Sequence, residues 1–202
     1  DVFTEEQAFD LDSSRRIMAG ARDVGLELRM HVDQLTPLGG AQLAAELGAR
    51  SADHLEHVSP EGIEALAGAG VVATLSPLVP LFLRESTEAP GRALVAGGVP
   101  VALSTDFNPG SCYCMSMFEV LTWASLRYGF SAGEALTAGT LNAAASLDLA
   151  HEIGSLEVGK RADVLITDLP NHSHLTYELG RNPVTAVVKG GQLVWRAQDP
   201  GA

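Results

Sequence analysis

Short apolar runs recur along the chain, separated by stretches whose apolar positions return every three to four residues. The runs Leu26–His31, Ser51–His54, Val71–Leu75 and Val99–Ser104 predict strands. Between them lie helices. Gly39-Gly40 opens one that continues to Ala49, with Leu43, Ala44 and Leu47 on one side. Ser59-Pro60-Glu61-Gly62 starts the next, with serine as cap and proline at the first helical position; it runs to about Ala69 and stops at Gly70. Gly91–Ala96 is a third. Upstream, Asp12 or Ser13 caps a helix reaching about Asp23, with Ile17 and Ala21 on its apolar face. Asp1-Val2-Phe3 reads as the tail of a strand and has no initiator methionine. Pro77–Pro90 reads as a loop carrying an apolar patch, Leu81-Phe82-Leu83.

Strand and helix alternate with short links, which implies an α/β protein with a parallel sheet and right-handed crossovers. Four such strands are too few to close an eight-stranded barrel. After Asp106 comes a long polar loop, followed by helices over about Met117–Tyr128, Ser131–Leu136 and Thr140–Leu147. Near residue 150 the texture changes. A turn-rich segment from Gly154 to Asp163 leads into Val164–Thr167, then Val184–Lys189, Gly190-Gly191 and Gln192–Trp195. Two strands flanking a Gly-Gly pair predict a hairpin. This second β unit is too small to be stable alone.

Three polar residues end apolar runs on different units: His31, His54 and Asp106. A single histidine at a strand end is commonly a hydrogen-bonded structural residue. Three such residues at the carboxyl ends of strands are a different matter, because that rim is where a (β/α) barrel builds its active site. Asp106 precedes Asn108-Pro109-Gly110, a rigid turn, so its carboxylate can bind a divalent metal and accept a proton from water. A closed metal site needs three or four protein ligands. The shortfall here suggests the second half of an enzyme. His57 is expected at a surface or helix entry, and His151, His172 and His174 in solvent-facing loops. Cys112 and Cys114 form a C-x-C too short for an ordinary disulfide and are expected to be structural.

The 202 residues allow one domain or slightly more. A net charge of −12 argues against nucleic acid or an anionic membrane as partner. No window approaches the roughly 20 uninterrupted apolar residues of a membrane span. No basic-plus-apolar leader opens the chain. Two cysteines without a disulfide framework suggest a reducing compartment, hence cytoplasm.

Four segments carry a resemblance: His31-Val32-Asp33-Gln34 with its continuation to Gly40, Ser51–His57, Thr105–Gly110, and Gly154–Asp163 with its Gly-x-Leu-x-x-Gly-Lys-x-Ala-Asp pattern. Together they resemble the amidohydrolase superfamily, and within it the ring-opening hydrolases of histidine breakdown. The likeness runs to about Trp195. It implies the C-terminal half of a (β/α)8 TIM-type barrel over residues 1–148, about strands five to eight, plus part of a small flanking β-sandwich over 149–202. It implies one divalent metal, zinc or iron, held by His31 and Asp106, with His54 and Asp106 catalytic. Gln34, Asn108, Gly110 and Ser111 would bind the substrate; glutamine at position 34 can hydrogen-bond but cannot serve as a base. The implied reaction is hydrolysis of the cyclic amide of 4-imidazolone-5-propanoate to N-formimidoyl-L-glutamate, by a complete protein expected to be a homodimer. The His-x-His pair with which the superfamily completes its metal site has no counterpart in a barrel strand here, so the chain alone is expected to be inactive. The alternatives are another amidohydrolase, such as a nucleobase deaminase, and an inactive fragment that acts as an assembly partner.

Overall fold

A computed structural model of the chain describes residues 1–198. Five strands, β1 (Val2–Thr4), β2 (Arg29–Val32), β3 (Ser51–His54), β4 (Val72–Leu75) and β5 (Val101–Leu103), pair in chain order, and all four pairings are parallel. Between them run α1 (Leu11–Asp23), α2 (Gly40–Leu47), α3 (Pro60–Ala69), α4 (Val79–Leu83) and α5 (Gly91–Ala96). The α/β class and parallel sheet predicted from the alternation are therefore observed.

Register decides which side chains share a face. Phe3 lies opposite His31, His31 opposite Asp53, Asp53 opposite Thr74 and Thr74 opposite Ala102. In a parallel sheet these registered residues project together. This row is polar over its middle. The row one residue earlier, Val2, Met30, Ala52, Ala73 and Val101, is buried and apolar and belongs to the main core. Helices α1 and α2 contact β1 and β2, and α2 packs on α3. Gly40 permits the tightest approach, since a β-carbon there would meet the Val32 side chain at 2.5 Å.

Several expected boundaries move. The cap of α1 is Asp10, whose carboxylate accepts the Ser13 N–H at 2.7 Å, rather than Asp12 or Ser13. Its buried residues are Ser14 and Met18, while Ile17 is exposed. Serine turns inward because Thr4 Oγ1 donates to its hydroxyl at 2.8 Å. Strand β2 starts at Arg29 and not Leu26, because Gly25 and Leu26 give their N–H groups to Arg22 and Ala21 to close α1. The expected 77–90 loop contains α4, with Pro80 in its first turn, where a missing N–H costs nothing. Helix α3 begins and ends as predicted, with the Ser59 hydroxyl on the Gly62 N–H.

After β5 follow α6 (Met117–Tyr128), α7 (Ala132–Gly139) and α8 (Leu141–Ser146). Helix α7 runs three residues past its expected end, on a capping box formed by Ser131 and Glu134. A 3-10 turn over His172–Thr176 packs on α6 and α7. A second sheet, antiparallel, contains β6 (Val164–Thr167), β7 (Val184–Lys189) and β8 (Gln192–Arg196). Gly190 and Gly191 lie at φ 56° and 80°, as a two-residue hairpin turn with both central residues left-handed requires. Among the described residues, no helix is long and apolar enough to cross a membrane.

Candidate metal centre

The carboxyl ends of β2, β3 and β5 meet at one rim. His31 lies within β2, His54 ends β3, and Asp106 follows β5 by three residues. One nitrogen from each imidazole and one Asp106 oxygen all lie within 4.8 Å of one another. The two rings stand 4.8 Å apart between centroids and are tilted by 45°. His54 is buried, and its Nε2 faces Asp106 Oδ2 at 4.0 Å. A cleft of about 380 Å³ opens above, lined by Phe3, His31, Gln34, Leu35, His54 and Asp106, and by Leu83, Asn108 and Ser111.

The backbone at this rim is unusual. Asp33 (φ 49°), His54 (81°), Leu55 (68°) and Asp106 (46°) all occupy the left-handed region without being glycine. Such residues persist only where their surroundings over-determine them. At Asp106 the constraint is visible. Its N–H donates to Ser104 Oγ at 3.0 Å. The Asn108 amide donates to the Asp106 carbonyl at 2.8 Å, to Asp106 Oδ2 at 3.3 Å and to Ser111 Oγ at 2.7 Å. Asn108 Oδ1 accepts the N–H groups of Gly110 and Ser111, each at 2.8 Å. The Ser111 hydroxyl also donates to Asp106 Oδ2, at 3.3 Å. Asn108 is thus the hub of the loop, and Gly110 is exposed outside the cleft lining.

Two buried acids shape the neighbouring loop. Glu5, 1 % exposed, accepts the N–H groups of Gln34 (2.9 Å), Leu35 (3.0 Å) and Thr36 (3.4 Å) and the Thr36 hydroxyl (2.6 Å). Asp33, equally buried, accepts from Gly39, Gly40 and Ala41 at 2.9–3.0 Å, so it caps α2, whose own cap residue Gly39 has no side chain. The Asp33 carbonyl takes the His57 N–H at 2.7 Å and the Val32 carbonyl takes the Leu55 N–H at 3.2 Å, lacing the ends of β2 and β3 together. Sequence reasoning missed both acids. The signal for Asp33 was an aspartate at a strand end six residues before a Gly-Gly helix start.

The donors are of the kind a divalent cation takes: the His31 imidazole and the Asp106 carboxylate, with the His54 imidazole beside them, fall short of the three or four protein ligands of a closed site. Asp1 Oδ2 sits 3.0 Å from His31 Nδ1, where a carboxylate fixes the orientation of that ring. A second acidic grouping, Asp1, His31 and Asp53, is also compact, but Arg29 lies 3.5 Å from Asp53 and opposes a cation there.

The remaining candidates lie apart. His57 leads into α3. His151 and His172 are exposed, and His174 bonds Glu178 at 3.1 Å. Cys112 is buried and Cys114 half-buried, both as free thiols. Burial, with the charges of Cys114 and Asp106, pushes the Cys112 thiol above its ordinary pKa. Cys112 is outside the group formed by His31, His54 and Asp106.

Comparison with known proteins gives this rim a lineage. The profile described as "Amidohydrolase family" matches residues 7–194. The chain belongs to the amidohydrolase family. This amidohydrolase is 49% identical over 193 residues to the imidazolonepropionase of Bacteroides fragilis, covering 96% of the chain and 46% of that relative. It is 44% identical over 195 residues to the imidazolonepropionase of Porphyromonas gingivalis, with the same coverages. The chain spans about half the length of the curated relatives it matches. Among solved structures, an adenosine deaminase from Xanthomonas campestris with bound zinc superposes with a TM-score of 0.78 at 26% identity, over 93% of this chain and 49% of that one. A 5-methylcytosine deaminase from Klebsiella pneumoniae gives a TM-score of 0.79 at 18% identity, over 96% and 55%, and so shares the fold.

Proposed function

We propose that this amidohydrolase is the C-terminal half of a metal-dependent hydrolase that opens the cyclic amide of 4-imidazolone-5-propanoate, giving N-formimidoyl-L-glutamate. The observation that carries the reading is the convergence of His31, His54 and Asp106 within 4.8 Å in a chain 49% identical to an imidazolonepropionase. In this reading residues 1–148 form the second half of a (β/α)8 barrel and the region from 149 on the carboxyl part of a β-sandwich, its expected last residues 199–202 lying outside the described residues. The missing half covers the outer edges of β1 and β5, an arrangement favoured because exposed parallel edges are costly. The complete protein is a cytoplasmic homodimer acting on a small molecule, with neither nucleic acid nor membrane as partner.

His31 and Asp106 would hold a divalent cation, zinc or iron. When bound, such a cation lowers the pKa of water to near 7 and polarises a carbonyl. His54 takes the proton from the attacking water at Nε2, the nitrogen turned toward Asp106. Asp106, fixed by Asn108 and Ser111, orients that water. The water oxygen bonds to the ring carbonyl carbon. Gln34 and Ser111, facing the cleft, donate to the ring and to the oxyanion that develops. The carbon–nitrogen bond then breaks, and the nitrogen leaves with the proton carried by His54. Asn108 and Gly110 contribute by shaping the loop that presents Ser111.

The test mixes the purified chain with 4-imidazolone-5-propanoate and follows the ring absorbance, with and without the N-terminal half. Loss of absorbance that needs both halves and a stoichiometric metal supports the reading. The fold shared with the zinc-bound deaminase favours a second reading, a deaminase, which ammonia release from a nucleobase would identify. A metal-free, inert chain in both arms would leave the assembly-partner reading.

A further inference from the structure

Beneath the rim lies a buried polar group that the chemistry above does not use. Glu56 is 6 % exposed, and neither of its carboxylate oxygens has a hydrogen-bond partner. His54 is 3 % exposed, and its Nδ1 has none either. Those two groups face each other, with Nδ1 3.9 Å from Glu56 Oε1. The third member is Tyr128 on α6, 4 % exposed, whose hydroxyl is also unpartnered. Burial, reinforced by the Glu56 charge, pushes that phenol well above its ordinary pKa, so Tyr128 keeps its proton and can donate it. An unpaired buried polar atom costs about 1–3 kcal/mol, and more if charged. Four such atoms on three residues, with complementary roles, point to a shared arrangement. A carboxylate offers two acceptor oxygens, and an imidazole N–H and a phenol O–H are two donors.

We propose that Glu56 is the positioning residue of His54. It accepts a proton-bearing Nδ1–H from the histidine on one oxygen and the Tyr128 hydroxyl on the other, once the 3.9 Å separation tightens. The consequence is a fixed tautomer. With the proton held on Nδ1, the lone pair of Nε2 points toward Asp106 and the cleft, the orientation a general base requires. The inference rests on the base role assigned to His54 in the reading above.

The test uses the 202-residue chain labelled with nitrogen-15 at histidine, with the His54 signals assigned by their loss in His54→Gln. Long-range proton–nitrogen correlations above the imidazole titration report which nitrogen carries the proton. The expected result is a protonated Nδ1 and an unprotonated Nε2 in the parent chain. Glu56→Ala should mix the tautomers, whereas Glu56→Gln, whose amide oxygen still accepts, should retain the parent pattern. A parent chain with the proton on Nε2 overturns the proposal, as does a folded Glu56→Ala chain with an unchanged tautomer. If Glu56→Ala fails to fold, the parent spectrum still decides. Zinc titration of the same samples separates the two claims. Nδ1 protonation without zinc uptake sinks the metal reading and leaves this one, and zinc uptake with Nε2 protonated does the reverse.

Discussion

The two sheets of this chain are built on opposite terms. In the five-stranded parallel sheet, one row of side chains is wholly core and the other carries polar groups up to a strained rim. In the three-stranded antiparallel sheet, Leu165, Leu193 and Val194 are each more than half exposed, and every residue of β8 is exposed. The first sheet can hold backbone in the left-handed region because helices and buried carboxylates grip it from below. The second has no comparable layer over it among the described residues and is fastened instead by surface ion pairs such as Lys189–Asp163, 2.6 Å. Chemistry sits where the scaffold has stiffness to spare.

The sharpest way to break that comparison is to cut equally into both sheets. Leu66→Ala, in the fully buried α3 face, should cost about 2–5 kcal/mol in urea unfolding. Leu165→Ala in β6 should change the same measurement by about 0.5 kcal/mol or less. Equal losses would remove the contrast. Next, Asp106→Ala should weaken zinc binding by at least about 100-fold, close to 3 kcal/mol, as read by chelator competition. His174→Ala, in the 3-10 turn packed on α6 and α7, should leave binding unchanged.

Asp33→Ala removes the acceptor of three N–H groups and leaves alanine at a positive φ. The expected loss is about 2–3 kcal/mol, again by urea unfolding. The smallest effect concerns acid. Lys189, the Gly190 N–H and Arg161 hold the Asp163 carboxyl down at about 2 from an ordinary 3.8. A depressed folded-state pKa adds stability that is present above the unfolded value and lost as pH falls through the folded one. Asp163→Asn should therefore flatten the pH dependence of stability between about 4 and 2, with its loss relative to the parent chain largest at neutral pH and vanishing as pH falls through about 2.

What the sequence disclosed and withheld follows from range. The α3 boundaries were legible because Ser59, Pro60 and Gly70 act within one turn. The hairpin was legible because Gly190-Gly191 carries its own conformation. The start of α1 was misread because Asp12 and Ser13 are as good a cap by composition as Asp10, and only the inward pairing of Ser14 with Thr4 decides. His31, His54 and Asp106 were legible as strand-end residues, and their meeting followed from parallel topology. Glu5 was not, since its acceptor role is defined by backbone about 30 residues away. Glu56 was likewise hidden, because its burial beside His54 Nδ1 with no other partner is set by the folded surroundings and not by its neighbours in the chain.

The lacing of β2 to β3, through Leu55 onto Val32 and His57 onto Asp33, has a mechanical corollary. The two imidazoles ride on one rigid plate and travel together when the sheet flexes. Asp106 stands two strands away, across β4, and is held by its own loop through Ser104, Asn108 and Ser111. The spacing between carboxylate and ring pair is therefore set by two separate sets of bonds, and a change in either re-spaces them without loosening the other.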